Sequence, residues 1–518
     1  MKSIYKKTIA LALIFIGLSM MGCNEEILNQ SNPNALTPSS FWKSEEDATK
    51  GIIGAYSPFT HIWYYTRFEI FLSDYRDDVV NAYGTSERTA IGSFNGISTG
   101  NGTFWVWSTM YQCITRANEV IYHVPNIEMN TTLRDNIIGE AHFIRAYNYF
   151  GLVNNWLNIP LITEPISEIA DPVGDVSQAD PEAVWTQIIS DLQKAETMLP
   201  ASWADKDLGR VTTASASALL GKVLLYRKDY AGAKAAFQKV IDNPNYSLVD
   251  DYGDNFTEDA ENNRESLFEI QLVSDGNNGW GGDAPGAGKG AGFHPDLAPA
   301  GFTGQDGMRI NDWVLDLFLD ERTVDGQIDP RAFYTLFWDT EDSTTYQGKV
   351  LKSRTYLDAS YQDAFPGDTR IFASKHLDVK QGYVSSQANG WHQSGNNLRI
   401  LRYADVLLMY AEAEFMLNGS SAIAVEAVNE VRRRVNMPEF ASITMQDIED
   451  ERVKELSLER TRYFDILRWG KIEEYLVNKP ELKSESSGTG AYKPGREYID
   501  IPQNEIDANP KIKHNPGY

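Results

Sequence analysis

The chain has 518 residues, of which 42% are hydrophobic and 23% are charged, so it can fold around a large core. Its formal net charge of −25 argues against nucleic acid as a partner, because binding a phosphate backbone requires a basic surface. Its two cysteines, Cys23 and Cys113, exclude a disulfide framework, and Cys113 lies in a helical pattern that favours a buried thiol.

The N-terminus has the features of an export signal. Three lysines precede an apolar run at residues 9–21, which is too short to span a bilayer. Gly22 and Cys23 follow this run as they do in a bacterial lipoprotein signal. We therefore expect residues 1–22 to be removed and Cys23 to carry lipid, which would hold the protein on a membrane. An ordinary signal peptide that happens to contain a cysteine is the alternative.

Hydrophobic residues at helical spacing predict a helical scaffold from about residue 40 to residue 244. Its clearest part is residues 212–244, where two short helices have the spacing of a tetratricopeptide repeat. The residues of this pattern are Leu220, Gly221 and Leu224 on the first helix and Tyr230, Ala233, Phe237 and Val240 on the second. Small residues let paired helices approach closely, and we expect about four such pairs in the whole chain.

Residues 61–107 combine aromatic residues, acids and a Gly/Asn/Ser-rich loop, which is typical of a functional surface. Carboxylates accept hydrogen bonds from sugar hydroxyls, and guanidinium groups donate to them. Arg76, Asp77 and Asn81 are therefore candidate glycan-binding residues. The alternatives are a solvated loop and a calcium site, but the acids here lack the usual calcium-loop pattern. We predict no metal site.

Residues 245–396 interrupt the helical pattern with a Gly-rich segment and short runs typical of strands. Rigid helices that carry a loop-rich insertion are typical of binding proteins. Isolated tryptophans favour glycan binding because a flat ring stacks on the apolar face of a sugar. We predict a ligand site between residues 61–107 and 276–342. Its candidate stacking residues are Trp105, Trp280 and Trp338.

The stretch from Asn397 to Gly470 predicts three more helices, and Ile400 and Leu407 are part of the apolar face of the first. Asn418 and Gly419 end the first, Ser420 or Ser421 begins the second, and Thr444 with Asp447 forms a capping box at the start of the third. The spacing predicts i,i+3 ion pairs of Glu459 with Arg462 and of Asp465 with Arg468. We interpret four charged residues as structural partners: Arg145, Glu455, Arg462 and Arg468.

Four separated runs resemble the SusD/RagB family of outer-membrane nutrient-binding lipoproteins. They are the lipoprotein start with NPNALTPSSFW, the run GEAHFIRAYNYFGLVNNWLNIPLITEP, the stretch from LRYADVLLMYAEAE to ERVKELSLERTRYFDILRWG, and the ending IPQNEIDANPKIKHNPGY. The resemblance implies a mainly α fold: a tetratricopeptide-like helical repeat scaffold with an irregular, loop-rich ligand-binding lobe and a few short strands. We expect a single SusD-like domain at 23–518, with the scaffold mainly at 40–244 and 397–478 and the insertion at 245–396.

The resemblance also implies a function. We expect a lipid-anchored protein, exposed at the outer-membrane surface, that binds an oligosaccharide or polysaccharide and delivers it to a SusC-like TonB-dependent transporter. Peptide capture of the RagB type is the first alternative. Glycoside hydrolysis by paired carboxylates is a remote one, since no catalytic motif accompanies the 72 acids. No enzymatic activity and no cofactor are predicted.

Overall fold

A computed structural model describes residues 41–82, 86–95, 98–273, 290–292, 294–297, 308–353, 370–377, 394–478 and 492–518. Cys23 and Trp280 lie outside these residues. Within the described ranges, no helix combines the length and the apolar character needed to cross a bilayer.

The described chain is mainly helical, as predicted. Its longer helices are α1 (Glu45–Tyr56), α2 (Asn101–His123), α3 (Thr131–Trp156), α4 (Pro181–Met198), α5 (Thr213–Tyr226), α6 (Tyr230–Ile241), α7 (Asp312–Leu319), α8 (Tyr403–Asn418), α9 (Ala422–Arg434), α10 (Met445–Leu456) and α11 (Arg462–Trp469). Shorter helices cover Glu69–Leu72, Ser86–Gly92, Pro172–Asp175, His294–Leu297, Pro330–Thr335 and Gln503–Ala508. The strands are β1 (Val80–Ala82), β2 (Ser266–Ile270), β3 (Met308–Ile310), β4 (Leu336–Phe337), β5 (Ser343–Tyr346), β6 (Lys349–Lys352), β7 (Ile371–Ala373) and β8 (Leu398–Arg402).

The scaffold helices pack in series. Each of α1 to α5 packs on the helix that follows it, α6 packs directly on α8, and α8 packs on α9. These eight helices form the four pairs expected from the repeat pattern. The close approach within the α5–α6 pair occurs at Gly221, where an added Cβ would lie 2.4 Å from the Phe237 ring. The small residue of the repeat is therefore needed for α6 to pack against α5.

Local signals set several helix ends. Ser421 caps α9 by accepting a hydrogen bond from the Ala424 N–H, and Thr444 and Asp447 form the predicted capping box of α10. Gly419 follows α8 with a positive φ of 66°. These ends are confirmed because each depends on residues within a few positions of one another.

Two helix predictions were wrong. The apolar pattern placed Ile400 in a helix, but it lies in β8, which pairs with β2, and α8 begins only at Tyr403. The predicted third helix is divided into α10 and α11, because Leu458 and Arg460 have φ values of 66° and 61°. The connecting segment is held by tertiary contacts. The Arg460 N–H donates to Asp74 Oδ1, and His376 Nε2 bonds the Leu458 carbonyl.

The break between α10 and α11 also changes an ion pair. Glu459 bonds Arg402 and Lys375 rather than Arg462. Arg462 instead pairs with Asp78, at 2.8 Å. The other predicted pair, Asp465 with Arg468, forms at 2.9 Å within α11. The i,i+3 rule holds only where the helix is continuous.

The strands form small sheets, of which the β2–β8 pair packs on the scaffold, with the Phe268 ring of β2 5.4 Å from the Phe143 ring of α3. One sheet has the order β1-β3-β7-β4, while β2 pairs with β8 and β5 with β6. The pairing of β1 with β3 is antiparallel, with Val80 opposite Ile310. Residues near the start of the scaffold are thereby joined to residues of the loop-rich region.

Candidate functional site

A pair of half-buried tryptophans lies at the start of α2. The ring centroids of Trp63 and Trp105 are 3.9 Å apart, and the buried ring of Phe68 lies 5.8 Å from Trp63 and 5.2 Å from Trp105. We call the half-buried rings of Trp63 and Trp105 the Trp63–Trp105 surface. Each tryptophan ring is restricted by Phe68 and by the other tryptophan. The two side chains therefore lose little conformational freedom when a ligand binds.

The first turn of α2 fits closely beneath this surface. An added Cβ at Gly102 would lie 2.9 Å from the Phe68 ring. The Gly102 N–H, unpaired within the helix at this position, donates to Glu87 Oε1 at 2.7 Å. Glycine here lets α2 approach Phe68, and the approach places Trp105 against Trp63.

The two regions expected to form the site do meet. The Gly292 N–H donates to the Thr66 carbonyl at 2.7 Å, and Arg67 pairs with Asp296 at 2.9 Å. Asp296 is fully buried, so this charge pair joins the two regions inside the protein. The segment that carries Trp63 is therefore fixed by residues of the loop-rich region.

Arg76, expected to contact a ligand, is buried instead. Its guanidinium group donates to Asn155 Oδ1 at 2.9 Å, to the Tyr463 hydroxyl at 2.6 Å and to the Glu497 carbonyl. It also lies 3.8 Å from the centroid of the Tyr463 ring. Arg76 thus joins α3, α11 and the C-terminal segment, and in this structure it does not face solvent.

Asp77 and its neighbouring acids are buried as well. Asp77 Oδ1 accepts hydrogen bonds from the N–H groups of Val79 and Val80, each at 2.9 Å. Burial and the carboxylates of Asp74 and Asp78 raise the pKa of Asp77 well above its ordinary value. Because Asp78 pairs with Arg462 and Asp74 accepts from the Arg460 N–H, this cluster is bonded within the protein and is not a solvated loop.

The remaining described candidates, Trp338 and Asn81, differ in how far solvent reaches them. Trp338 is 6% exposed, and its ring centroid lies 5.0 Å from that of Phe333. Asn81 is half-buried on β1, opposite Arg309 of β3. Of the candidates within the described residues, Trp105 and Asn81 are the ones that solvent reaches in part, and their role in binding stays a prediction.

Trp63, the partner of Trp105, is not among the candidates predicted from the sequence. It lies in the run IWYYTRF, which has neither helical nor alternating periodicity. No sequence signal distinguishes Trp63 from buried neighbours such as Tyr64, so only the folded chain shows that it pairs with Trp105.

Comparisons with known proteins match nearly the whole chain. A model of the SusD family matches residues 261–518, and a model described as "Starch-binding associating with outer membrane" matches residues 26–225. A SusD-like protein of Formosa agariphila is 25% identical over 99% of this chain and 100% of its own length.

Solved structures show the same fold. A SusD superfamily protein of Bacteroides vulgatus is 26% identical, with a TM-score of 0.77 over 92% of this chain and 100% of its own. A laminarin-binding SusD-like protein is 28% identical, with a TM-score of 0.72 over the same shares of the two chains.

Proposed function

This chain belongs to the SusD/RagB family, and from that premise we propose that it is a cell-surface lipoprotein that binds an oligosaccharide or polysaccharide. The observation that carries the proposal is the Trp63–Trp105 surface. Two restrained rings, tilted by 46° to each other and partly open to solvent, provide apolar surface on which a sugar ring can stack. The similarity to a laminarin-binding protein supports a glycan ligand.

The polar part of the site is proposed to be small. Asn81 can donate and accept hydrogen bonds without carrying a charge, which suits neutral hydroxyl groups. Arg76 and Asp77 support this region from inside by fixing the segment between Glu69–Leu72 and β1. Glycan specificity would then depend on ring stacking and a few neutral groups rather than on a charged pocket.

We test the site by changing Trp63 and Trp105 to Ala, singly and together. Retardation of the protein is measured in affinity gels that contain laminarin or another polysaccharide from a panel. We expect the double variant to lose retardation while circular dichroism shows that it remains folded. Trp42→Ala is the control, because Trp42 is also half-buried and stacked, but on His123. Full retardation of the double variant would place the ligand elsewhere, and binding of peptides alone would favour capture of the RagB type.

We propose that the protein binds without catalysing a reaction and delivers its ligand to a TonB-dependent transporter. Incubation with any polysaccharide that it binds should release no new reducing ends, and enzyme-like release would contradict the proposal. Purification after mild solubilisation of the outer membrane should recover the transporter with the protein. Recovery of the protein alone would count against this partner.

The anchor is proposed to be lipid attached to Cys23. Replacing Cys23 with Ser removes the thiol that would be acylated, so the variant should leave the membrane fraction. Labelling with a radioactive fatty acid should mark the wild type and not the variant. A Cys23→Ser protein that stays in the outer membrane would contradict lipid anchoring.

A further inference from the structure

A cavity of about 250 Å³ opens beside another half-buried tryptophan, Trp203. It lies between the connection of α4 to α5 and the turn that precedes β2. Trp203, Leu208 and Tyr246 contribute apolar surface, and Asn245 and Asn262 contribute amides. The volume is below the range of about 300–1,000 Å³ that is typical for drug-sized ligands, so the cavity suits a small unit such as a single sugar ring.

The Trp203 ring is held in place. Its Nε1–H donates to the Val211 carbonyl at 2.8 Å, and the Arg210 guanidinium lies 3.8 Å from the ring centroid. Arg210 is itself fixed by Glu140, whose side chain is fully buried, and by Asp207. The ring therefore loses little conformational entropy when a ligand stacks against it.

The charged side chains that line the cavity are paired with other residues. Arg210 pairs with Glu140, Arg264 with Asp250 at 2.8 Å, and Glu269 with Arg399 at 3.2 Å. A phosphate or carboxylate ligand would have to compete with these pairs.

The uncharged polar groups in and beside the cavity are ordered by hydrogen bonds. The amides of Asn262 and Gln271 bond each other reciprocally at 2.9 Å, and Thr212 bonds the Tyr246 hydroxyl. Asn245 is exposed at the rim. An ordered ring beside neutral amides fits an uncharged ligand rich in hydroxyl groups.

The cavity is separate from the Trp63–Trp105 surface. Trp107, two positions after Trp105, contacts Trp156 at the end of α3, whereas Arg210 contacts Glu140 in the middle of that helix. Residues 140 and 156 are 16 positions apart, which corresponds to about 24 Å along the helix axis. One small oligosaccharide cannot contact both places.

We propose that the Trp203 cavity is a second saccharide subsite, which binds one neutral sugar unit or chain end of a polysaccharide held at the Trp63–Trp105 surface. The inference rests on the proposed glycan-binding function. Two separate contacts with one long chain raise its apparent affinity above that of a short oligosaccharide, because the second contact forms intramolecularly.

The direct test uses ¹⁹F NMR of the full-length protein in detergent, with 5-fluorotryptophan at its 12 tryptophan positions. Trp203→Phe and Trp105→Phe assign the two resonances. Titration with laminarihexaose, and with other oligosaccharides that the protein binds, should shift both. A shift of Trp105 alone overturns the second subsite and leaves the proposed function intact. If no saccharide shifts either resonance, both the second subsite and the proposed glycan-binding function are overturned. If only peptides shift the Trp203 resonance, the cavity is not a saccharide subsite.

The second test measures retention on polysaccharide. Trp203→Ala should lower the apparent affinity for the long chain by at least about tenfold. Trp469→Ala is the matched control, because Trp469 is also half-buried, bonded through Nε1 and stacked on an arginine. The apparent affinity of Trp469→Ala for the polysaccharide should stay within about twofold of the wild-type value, because Trp469 does not line the proposed subsite.

A blocking variant covers the case in which Trp203→Ala fails to fold. Asn245→Leu leaves Trp203 and its contacts in place, adds bulk at the rim of the cavity and removes the amide without introducing a ring that could stack on a sugar. It should reduce retention as Trp203→Ala does. Wild-type retention by a folded Asn245→Leu protein would overturn the subsite.

Discussion

Arg402 and Glu455 form an ion pair inside the protein, with 2.6 Å between Arg402 Nη1 and Glu455 Oε1 and both side chains at most 2% exposed. Arg402 also bonds Glu265 and Glu459. Arg402 ends β8 and immediately precedes α8, whereas Glu455 lies in α10. The charges therefore fix the end of the loop-rich region to the last part of the scaffold.

Removing the Arg402 charge should be strongly destabilising. Arg402→Met leaves three buried carboxylates short of a partner, and breaking a buried ion pair in this way costs about 3–5 kcal/mol. Urea unfolding measures the change. Arg433→Met is the control, because the Arg433 pairs with Glu426 and Glu439 are exposed and should contribute less than about 1 kcal/mol. Equal losses in the two variants would contradict the role of the buried charges.

Asp405 should make the protein sensitive to acid. Burial alone would raise its pKa, but Lys222 and Arg452, at 3.0 and 2.9 Å, outweigh burial and lower the pKa from 3.8 to about 2. The Asp405 carboxylate thus binds a proton less readily in the folded state than in the unfolded state. Its contribution to the free energy of unfolding is therefore present above pH 3.8 and is lost as the pH falls toward 2. Asp405→Asn should reduce the free energy of unfolding at pH 6, with a difference from wild type that shrinks below pH 4. A difference independent of pH would contradict the lowered pKa.

Glu69 should make the protein less stable as the pH rises toward neutrality, whereas Asp405 makes it less stable in acid. Burial raises its pKa from 4.5 to about 7 even though Arg460 lies 2.6 Å away, and the Asp74 carboxylate adds to the shift. The folded state holds the proton that the unfolded state releases, so stability is full below pH 4.5 and declines as the pH rises through 7. Glu69→Gln should flatten this decline in urea unfolding measured from pH 4.5 to 8. The decline should not vanish, because the pKa of Asp74 is also raised, to about 6. An unchanged slope would show that Glu69 is ionised throughout this range.

Two glycine-to-alanine variants should change stability in opposite directions. At Gly221 the added methyl group would meet the Phe237 ring at 2.4 Å, and overpacking of this kind costs about 1–3 kcal/mol. At Gly54, within α1, an added Cβ meets no atom within 4 Å, so alanine should stabilise the helix by about 0.5–1 kcal/mol. Thermal unfolding of both variants checks the pair. A Gly221→Ala protein as stable as wild type would show that α5 and α6 can move apart without loss.

The sequence by itself determined the features that depend on near neighbours. The repeat pattern around Gly221 predicted a close helix pair, and the caps at Ser421 and Thr444 predicted where helices begin. The Asp465–Arg468 pair also forms as its spacing indicated. In each case the interacting groups lie within a few positions along the chain or recur at helical spacing, so the pattern of residue types contains the information.

Only the tertiary structure decided the contacts between distant segments. Arg76 bonds Tyr463 across 387 positions, and no local pattern shows that this arginine is buried rather than exposed on a loop. Long-range bonds of Arg460 divide the last predicted helix, because an i,i+3 pair such as Glu459 with Arg462 contributes only about 0.2–0.5 kcal/mol and cannot outweigh buried ion pairs. For the same reason the pairing of Trp63 with Trp105 is a property of the folded chain: residues 42 positions apart meet only because Phe68 and Gly102 bring their segments together.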